Sequence, residues 1–176
     1  MKRWMIALLT LALTAAVLIG VRFGLAGYAE SNAQRALEAT CRQLLPGSST
    51  FTEEPYSGED TNIRTVYKGE TGYVVETVTA GYVGDIVLLT GVDNNGRVTG
   101  IFVRQMQETY GLGRNAVSAA FLGQFLNTAG DAEVGTTIDA VSGATVTSKA
   151  ITKGVNSACA FVTGADVATA ATEWGG

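Results

Sequence analysis

The chain has 176 residues, a formal net charge of −4 and 47% hydrophobic residues, enough for one domain and a short extra element. Mild acidity with no basic run argues against a nucleic-acid partner, because phosphate binding needs clustered Lys and Arg. Histidine is absent, which removes Ser-His-Asp and Cys-His nucleophilic sites, HExxH zinc sites and His-ligated haem.

Lys2 and Arg3 precede an uncharged run from Trp4 to Val21. As a helix this run spans about 27 Å at about 1.5 Å per residue, close to the hydrocarbon thickness of a bilayer. Arg22 interrupts it, but Phe23, Leu25 and Tyr28 extend the apolar length while Arg22 snorkels to the interface. The leading positive charges favour a cytoplasmic N-terminus, which puts everything after residue 30 outside. A cleaved signal peptide is the competing reading, with Gly27-Tyr28-Ala29 as a small-any-small cleavage site. The length of the apolar stretch favours a retained anchor, and both readings export the rest of the chain. The expected division is an anchor over 1–29, a linker helix over 30–50 and an extracytoplasmic domain over 51–176.

Glu30 to Leu45 reads as a helix, since Ala33, Leu37, Cys41 and Leu44 recur at three- and four-residue steps. Pro46-Gly47-Ser48-Ser49 ends it. Phe51 to Asp60 is polar and is expected as loop. Ile63 to Lys68 is a short strand with Arg64, Val66 and Lys68 on one face, and Gly69 to Gly72 is a turn. Strands follow over Tyr73–Thr79 and Asp85–Val92. Asp93-Asn94-Asn95-Gly96 is the strongest hairpin signal, since Asn-Gly supplies positive φ cheaply. Arg97 to Gln105 is the returning strand. Gly111-Leu112-Gly113 breaks the pattern, and Ala116 to Asn127 reads as helix. Asp131 to Ile138 is a loop or short strand. Thr147 or Ser148 caps a last helix from Lys149 to about Val162. The expected fold class is α+β: a transmembrane helix, then an antiparallel sheet with flanking helices.

Cys41 and Cys159 lie far apart with no CxxC pair, so they cannot hold an iron–sulfur cluster alone. Packed thiols and one disulfide both stay open, with packed thiols favoured. Cys41 is a poor lipid-attachment site, because it follows Glu38-Ala39-Thr40 well beyond the apolar run.

The segment from Asp139 to Ser148 carries the chemistry. Ser142, Thr145, Thr147 and Ser148 surround Gly143 and Ala144 just before a helix start. Small residues leave room for close backbone approach. Free N–H groups and the dipole of a helix N-terminus favour an anion such as phosphate. Lys149 adds a positive charge nearby. An ordinary Ser/Thr-rich capping loop has the same composition.

Asp139-x-x-Ser142-Gly143-Ala144-Thr145 resembles the flavinylation motif of the FMN-binding domain family. That family includes the G subunit of the Rnf electron-transport complex and the C subunit of the sodium-pumping NADH:quinone reductase. The resemblance implies that a flavin transferase moves FMN from FAD onto Thr145 through a phosphoester bond. Asp139, Ser142, Gly143, Ala144, Thr147 and Lys149 are then its surroundings. Gln107-Glu108-Thr109-Tyr110-Gly111-Leu112-Gly113 resembles the family's Glu-Thr-Pro-Gly-Leu-Gly segment, which implies Glu108, Thr109, Leu112 and Gly113 at the flavin. Tyr110 replaces the usual Pro, and Gln105-Met106-Gln107 stands where a His often does. Glu108 has two readings: a bond to the flavin or a cap on the neighbouring turn. Gly81-Tyr82-Val83-Gly84-Asp85-Ile86 resembles the family's Gly-Tyr-Gly-Gly-x-Ile hairpin entry.

The resemblance implies covalent FMN as the only redox centre of a membrane-anchored electron relay. Its partners would be the other membrane subunits of an Rnf-type complex. The reductase's C subunit, a free-standing extracellular flavin carrier and a non-redox scaffold with a degenerate motif are the alternatives. An intact Thr145 motif favours the flavin readings.

Overall fold

The computed structural model describes residues 2–108 and 113–164. The chain divides into two units, Met1–Ala39 and Thr40–Gly176.

Helix α1 runs without a break from Lys2 to Leu44, so the two helical segments expected from the sequence form one element. Among the described residues it is the one helix long and apolar enough to cross a membrane. Trp4, Leu9, Leu13 and Leu18 on it are exposed. Two hydroxyls of its apolar run are satisfied within the helix. The Thr10 hydroxyl donates to the Ala7 carbonyl at 2.9 Å, and that of Thr14 donates to the Thr10 carbonyl at 2.7 Å. Back-bonding of this kind lets a hydroxyl sit in apolar surroundings at little cost.

The second unit is built on β1 (Thr52–Pro55), β2 (Ile63–Lys68), β3 (Gly72–Ala80), β4 (Asp85–Asp93) and β5 (Val98–Met106). They form a five-stranded sheet in sequence order, antiparallel throughout. The α+β class with an antiparallel sheet and flanking helices is as expected. The Asn95-Gly96 hairpin forms as its residue types demand. Asp93 Oδ1 accepts from the Asn95 and Arg97 N–H groups, both at 2.9 Å, and Gly96 takes φ +78°.

Three local expectations need correction. The expected loop over Phe51–Asp60 contains β1. Its residues are mostly exposed and polar because it is an edge strand, paired among the described residues only with β2 (Glu54 opposite Val66), and an edge tolerates Pro55. In β2 a register shift between Ile63 and Thr65 puts Arg64 out of step, while Val66 and Lys68, opposite Val75 and Tyr73, share a face as expected. Val66 is buried while Arg64 and Lys68 are exposed, and Tyr67 beside it is buried too. The single helix expected over Ala116–Asn127 is split into a 3₁₀ turn, Gly113–Val117, and a short helix α2, Ala119–Gly123. Ser118 separates them by capping α2, its hydroxyl accepting from the Phe121 N–H at 3.3 Å.

Helix α3 (Thr145–Thr163) lies on one face of the sheet, mainly over β3 and β4. Ile151, Val155, Ala158 and Cys159 of α3 join Val75, Ile86, Leu88 and Val92 of the sheet, with Phe121 and Phe125 closing the end. The helix approaches closely at Gly154, where an added Cβ would lie 2.8 Å from Thr77 Oγ1 and 2.9 Å from Leu88 Cδ1. On the other face, the last turn of α1 rests on Gly91 and Gly100, and the Thr99 hydroxyl donates to the Leu44 carbonyl. Glu76 is buried on that face between the Arg64 and Arg104 guanidinium groups. Cys41 and Cys159 are both buried, as thiols and not as a disulfide.

Candidate functional site

A cavity of about 400 Å³ opens at the end of the sheet where β3 turns into β4. Tyr82 comes from that turn, Glu108 and Gly113 from the stretch after β5, and Gly143 to Thr147 from the start of α3. Segments distant in sequence thus share one cavity, because the meander brings the β3–β4 turn and the exit of β5 to the same end and α3 begins there.

Helix α3 starts at Thr145, earlier than expected, and its N-cap residue is Ala144, not Thr147 or Ser148. Ala144 provides no side-chain cap. The first helical bond runs from the Ser148 N–H to the Ala144 carbonyl at 2.9 Å. The N–H groups of Thr145, Val146 and Thr147 therefore lie ahead of the helical ladder at the positive end of a 19-residue dipole. No acidic residue stands in the first turn. The Thr145 side chain is exposed beside these donors. This end of the helix is suited to a phosphate held at the Thr145 hydroxyl.

Two braces hold the loop before the helix. Ser148, fully buried, accepts from the Val141 N–H at 3.1 Å and donates to the Ala144 carbonyl at 2.9 Å. A turn closes the same loop, the Ala144 N–H donating to the Val141 carbonyl at 2.9 Å, with Gly143 at φ +75°. A non-glycine residue there would be strained. Upstream, the Gln124 amide clips the Asp139 backbone in both directions. Its Oε1 accepts from the Asp139 N–H at 2.7 Å, and its Nε2 donates to the Asp139 carbonyl at 3.3 Å.

Glu108 lines the same cavity. Its Oε1 accepts from the Tyr82 N–H at 2.7 Å and the Val83 N–H at 3.4 Å, so one oxygen caps the turn. Tyr82 is 72% exposed at the cavity rim.

Of the residues singled out from the sequence, Gly143, Ala144, Thr145, Thr147, Glu108 and Gly113 line the cavity, and Thr147 is only 1% exposed. Ser142, Asp139 and Lys149 are exposed and are not among its lining residues. Thr109 and Leu112 lie outside the described residues. Sequence reasoning did not single out Tyr82 or Val146 for the site, nor Ser148 and Gln124 as braces. Tyr82 stood in the third family-like segment, which was a usable signal. Nothing local marks Gln124, because its partner Asp139 is brought to it only by the tertiary fold. Among the described residues no cluster of side chains could hold a metal ion.

The FMN-binding domain family matches residues 81–160, the stretch that supplies every wall of this cavity. The G subunit of the Na(+)-translocating ferredoxin:NAD(+) oxidoreductase complex of Acetobacterium woodii is 42% identical over 96 residues, 48% of this chain and 46% of that protein. The G subunit of the proton-translocating ferredoxin:NAD(+) oxidoreductase complex of Clostridium ljungdahlii is 43% identical over 98 residues, 52% of this chain and 53% of that protein. The chain thus spans about half the length of each. With the G subunit of an ion-translocating oxidoreductase complex of Methanosarcina acetivorans the match is longer, 33% identity over 137 residues, 69% of this chain and 72% of that protein. Similarity that reaches across most of a relative, together with the match over the cavity-forming stretch, makes this chain a member of the FMN-binding domain family.

Proposed function

We propose that this chain is the FMN-carrying G subunit of an ion-translocating ferredoxin:NAD oxidoreductase, with FMN joined covalently to Thr145. The observation that carries this reading is the exposed Thr145 hydroxyl at the free N-terminus of α3, on the wall of the cavity. The Thr145, Val146 and Thr147 N–H groups offer donors to a phosphate there. The loading step balances as an exchange on phosphorus. The Thr145 oxygen replaces AMP on the FMN phosphate of FAD, its proton is released, and no electrons move. A flavin transferase supplies the catalysis.

Once bound, FMN supplies the redox chemistry of the subunit. The chain's own residues hold and shield it. The Ser148 and Gln124 braces fix the acceptor loop, and Tyr82 and Glu108 line the same cavity. Electrons come from and pass to other subunits, a role supported by the complexes named for the relatives. The apolar part of α1 serves as a membrane anchor, its leading Lys2 and Arg3 keeping the N-terminus cytoplasmic and the flavin domain on the opposite side.

The test is co-expression with a flavin transferase, followed by a denaturing gel viewed under ultraviolet light. A fluorescent band is expected from the wild type and none from Thr145→Ala. A dark wild-type band beside a transferase active on another substrate overturns the covalent reading. For the topology, a membrane-impermeant thiol reagent should label a cysteine introduced on the flavin domain only from the extracytoplasmic side; labelling only from the cytoplasm reverses the orientation.

A further inference from the structure

A second cavity, of about 420 Å³, lies at the other end of the strands from Thr145, where β2 turns into β3 and β4 into β5. Leu45, Pro46, Val98 and Leu126 give it apolar walls, and Asp93 and Asn127 stand among them. Leu45 and Val98 are each only 1% exposed and Leu126 is 47% exposed, so a buried apolar floor meets an open apolar edge. Bonds within the chain hold these walls in place. The Asn127 N–H donates to the Val98 carbonyl at 2.9 Å, and the Arg97 guanidinium donates to the Asn127 carbonyl at 2.9 Å. Preformed concave sites of this size, apolar with a few polar groups, are what bulky apolar groups enter.

The chain carries a group of that kind close by. Helix α3 ends in the Gly164 cap, and its last residue packs on the β4–β5 hairpin, since a Cβ added to Gly96 would strike Thr163 Cγ2. Residues 165–176, outside the described ones, therefore start beside the hairpin that supplies Asp93 and Val98. Trp174 is the one aromatic residue among them, in a run otherwise of Ala, Thr, Val, Gly and two acidic residues. The step from Gly164 to Trp174 reaches up to about 33 Å when extended, enough to round the hairpin tip. An indole has a large apolar body and one N–H that needs an acceptor when buried. Asp93 offers one: among the described residues its Oδ2 takes only the Asn95 side-chain amide, at 3.4 Å.

We propose that the segment after α3 folds back as a strap and that Trp174 occupies this cavity, its body against Leu45, Val98 and Leu126 and its N–H directed to the Asp93 carboxylate. The strap covers the open apolar edge at Leu126. It stands independently of the FMN reading. Its release is a local opening that leaves the sheet folded.

In the full-length chain in detergent, Trp4→Phe leaves Trp174 as the sole tryptophan. A seat filled about nine-tenths of the time lowers acrylamide quenching of Trp174 about tenfold against the urea-unfolded chain. Adding Leu126→Glu, at the exposed edge of the cavity, should return quenching to the unfolded level with the circular dichroism unchanged. Equal quenching in the folded and unfolded chains overturns the strap. So does shielding that persists in a folded Leu126→Glu chain, which puts the indole in the micelle or on another surface. Shielding lost on dilution gives the cavity to the tail of a second copy and overturns the seat within one chain. Trp174→Ala alters nothing in the described residues and supplies a second reading by NMR. The methyl signals of Leu45 and Leu126 should shift, while those of Val83, at the far end of the sheet, stay in place. Unmoved Leu45 and Leu126 signals overturn the proposal even where Leu126→Glu fails to fold.

Discussion

Replacing Ser148 with Ala strips one buried hydroxyl from the loop that presents Thr145. Two bonds are lost, from the Val141 N–H at 3.1 Å and to the Ala144 carbonyl at 2.9 Å. The Ala144 carbonyl keeps its bond from the Ser148 N–H, and Val141 is only half-buried, so water can replace part of what Val141 loses. Two such bonds contribute about 2 kcal/mol net. Alanine regains about 0.5 kcal/mol in helix propensity. The expected loss is about 1.5 kcal/mol, which lowers a urea midpoint by about 0.5–1 M at a slope of about 2 kcal/mol/M. Circular dichroism of the full-length chain in detergent measures that midpoint. Tryptophan fluorescence is a poor substitute, because Trp4 and Trp174 fall outside the stretch of sequence from β1 to α3. The local signature is faster hydrogen exchange at the Val141 amide, together with slower flavin loading of Thr145 by the transferase. An unchanged midpoint with unchanged Val141 exchange refutes the claim that Ser148 braces the loop that presents Thr145.

Glu70 predicts a pH dependence. Hydrogen bonds from the Thr50 hydroxyl, and then from the Glu70 and Ser49 backbone and the Ser49 hydroxyl, lower its pKa from 4.5 to about 2. A depressed carboxylate contributes stability that is present above the ordinary value, declines as pH falls toward the folded value, and is gone below it. The tie between Ser49–Thr50 and the β2–β3 turn should therefore weaken between about pH 4.5 and about pH 2. A Glu70 carboxyl carbon that titrates near 4.5 by NMR contradicts this. Burial pushes the Cys159 thiol up to about 12, with the Asp131 and Asp93 charges adding to it. An alkylating reagent at neutral pH should leave Cys159 unmodified in the folded protein and modify it in denaturant. Rapid native labelling, read by mass spectrometry, is the contrary result.

The strands from β2 to β5 were legible because their signals are local: runs rich in Val, Ile and Thr, and an Asn95-Gly96 turn that few other residues can make. The α3 face was legible from its spacing, Ile151, Val155 and Ala158. β1 was hidden because an edge strand held mainly by backbone pairing needs no apolar pattern. The break at Ser118 was hidden because Val117, Phe121, Leu122 and Phe125 keep helical spacing across it. Their packing, including the 5.4 Å edge-on contact of Phe121 and Phe125, survives as two short turns. At the site, the Thr145 motif was readable as residue types. Which hydroxyl is exposed and which braces the loop was not, because that depends on where α3 begins. One residue of shift moves every donor by about 100° around the helix. Starting at Thr145 leaves that hydroxyl exposed and sends Ser148 inward as a brace.

The plain order of the sheet also orders the assembly of the site in time. Each strand of the meander pairs with the one before it, so a chain emerging from its N-terminus can close the sheet one hairpin after another, with short loops and little entropy to overcome. The cavity walls follow the same sequence, at Tyr82, then Glu108 and Gly113, then Gly143 to Thr147. No fragment ending before Thr147 has all of them. Docking of the final helix is therefore the event that at once seals the core, builds the pocket and presents the Thr145 hydroxyl. A nascent or half-folded chain offers no finished pocket to receive a flavin.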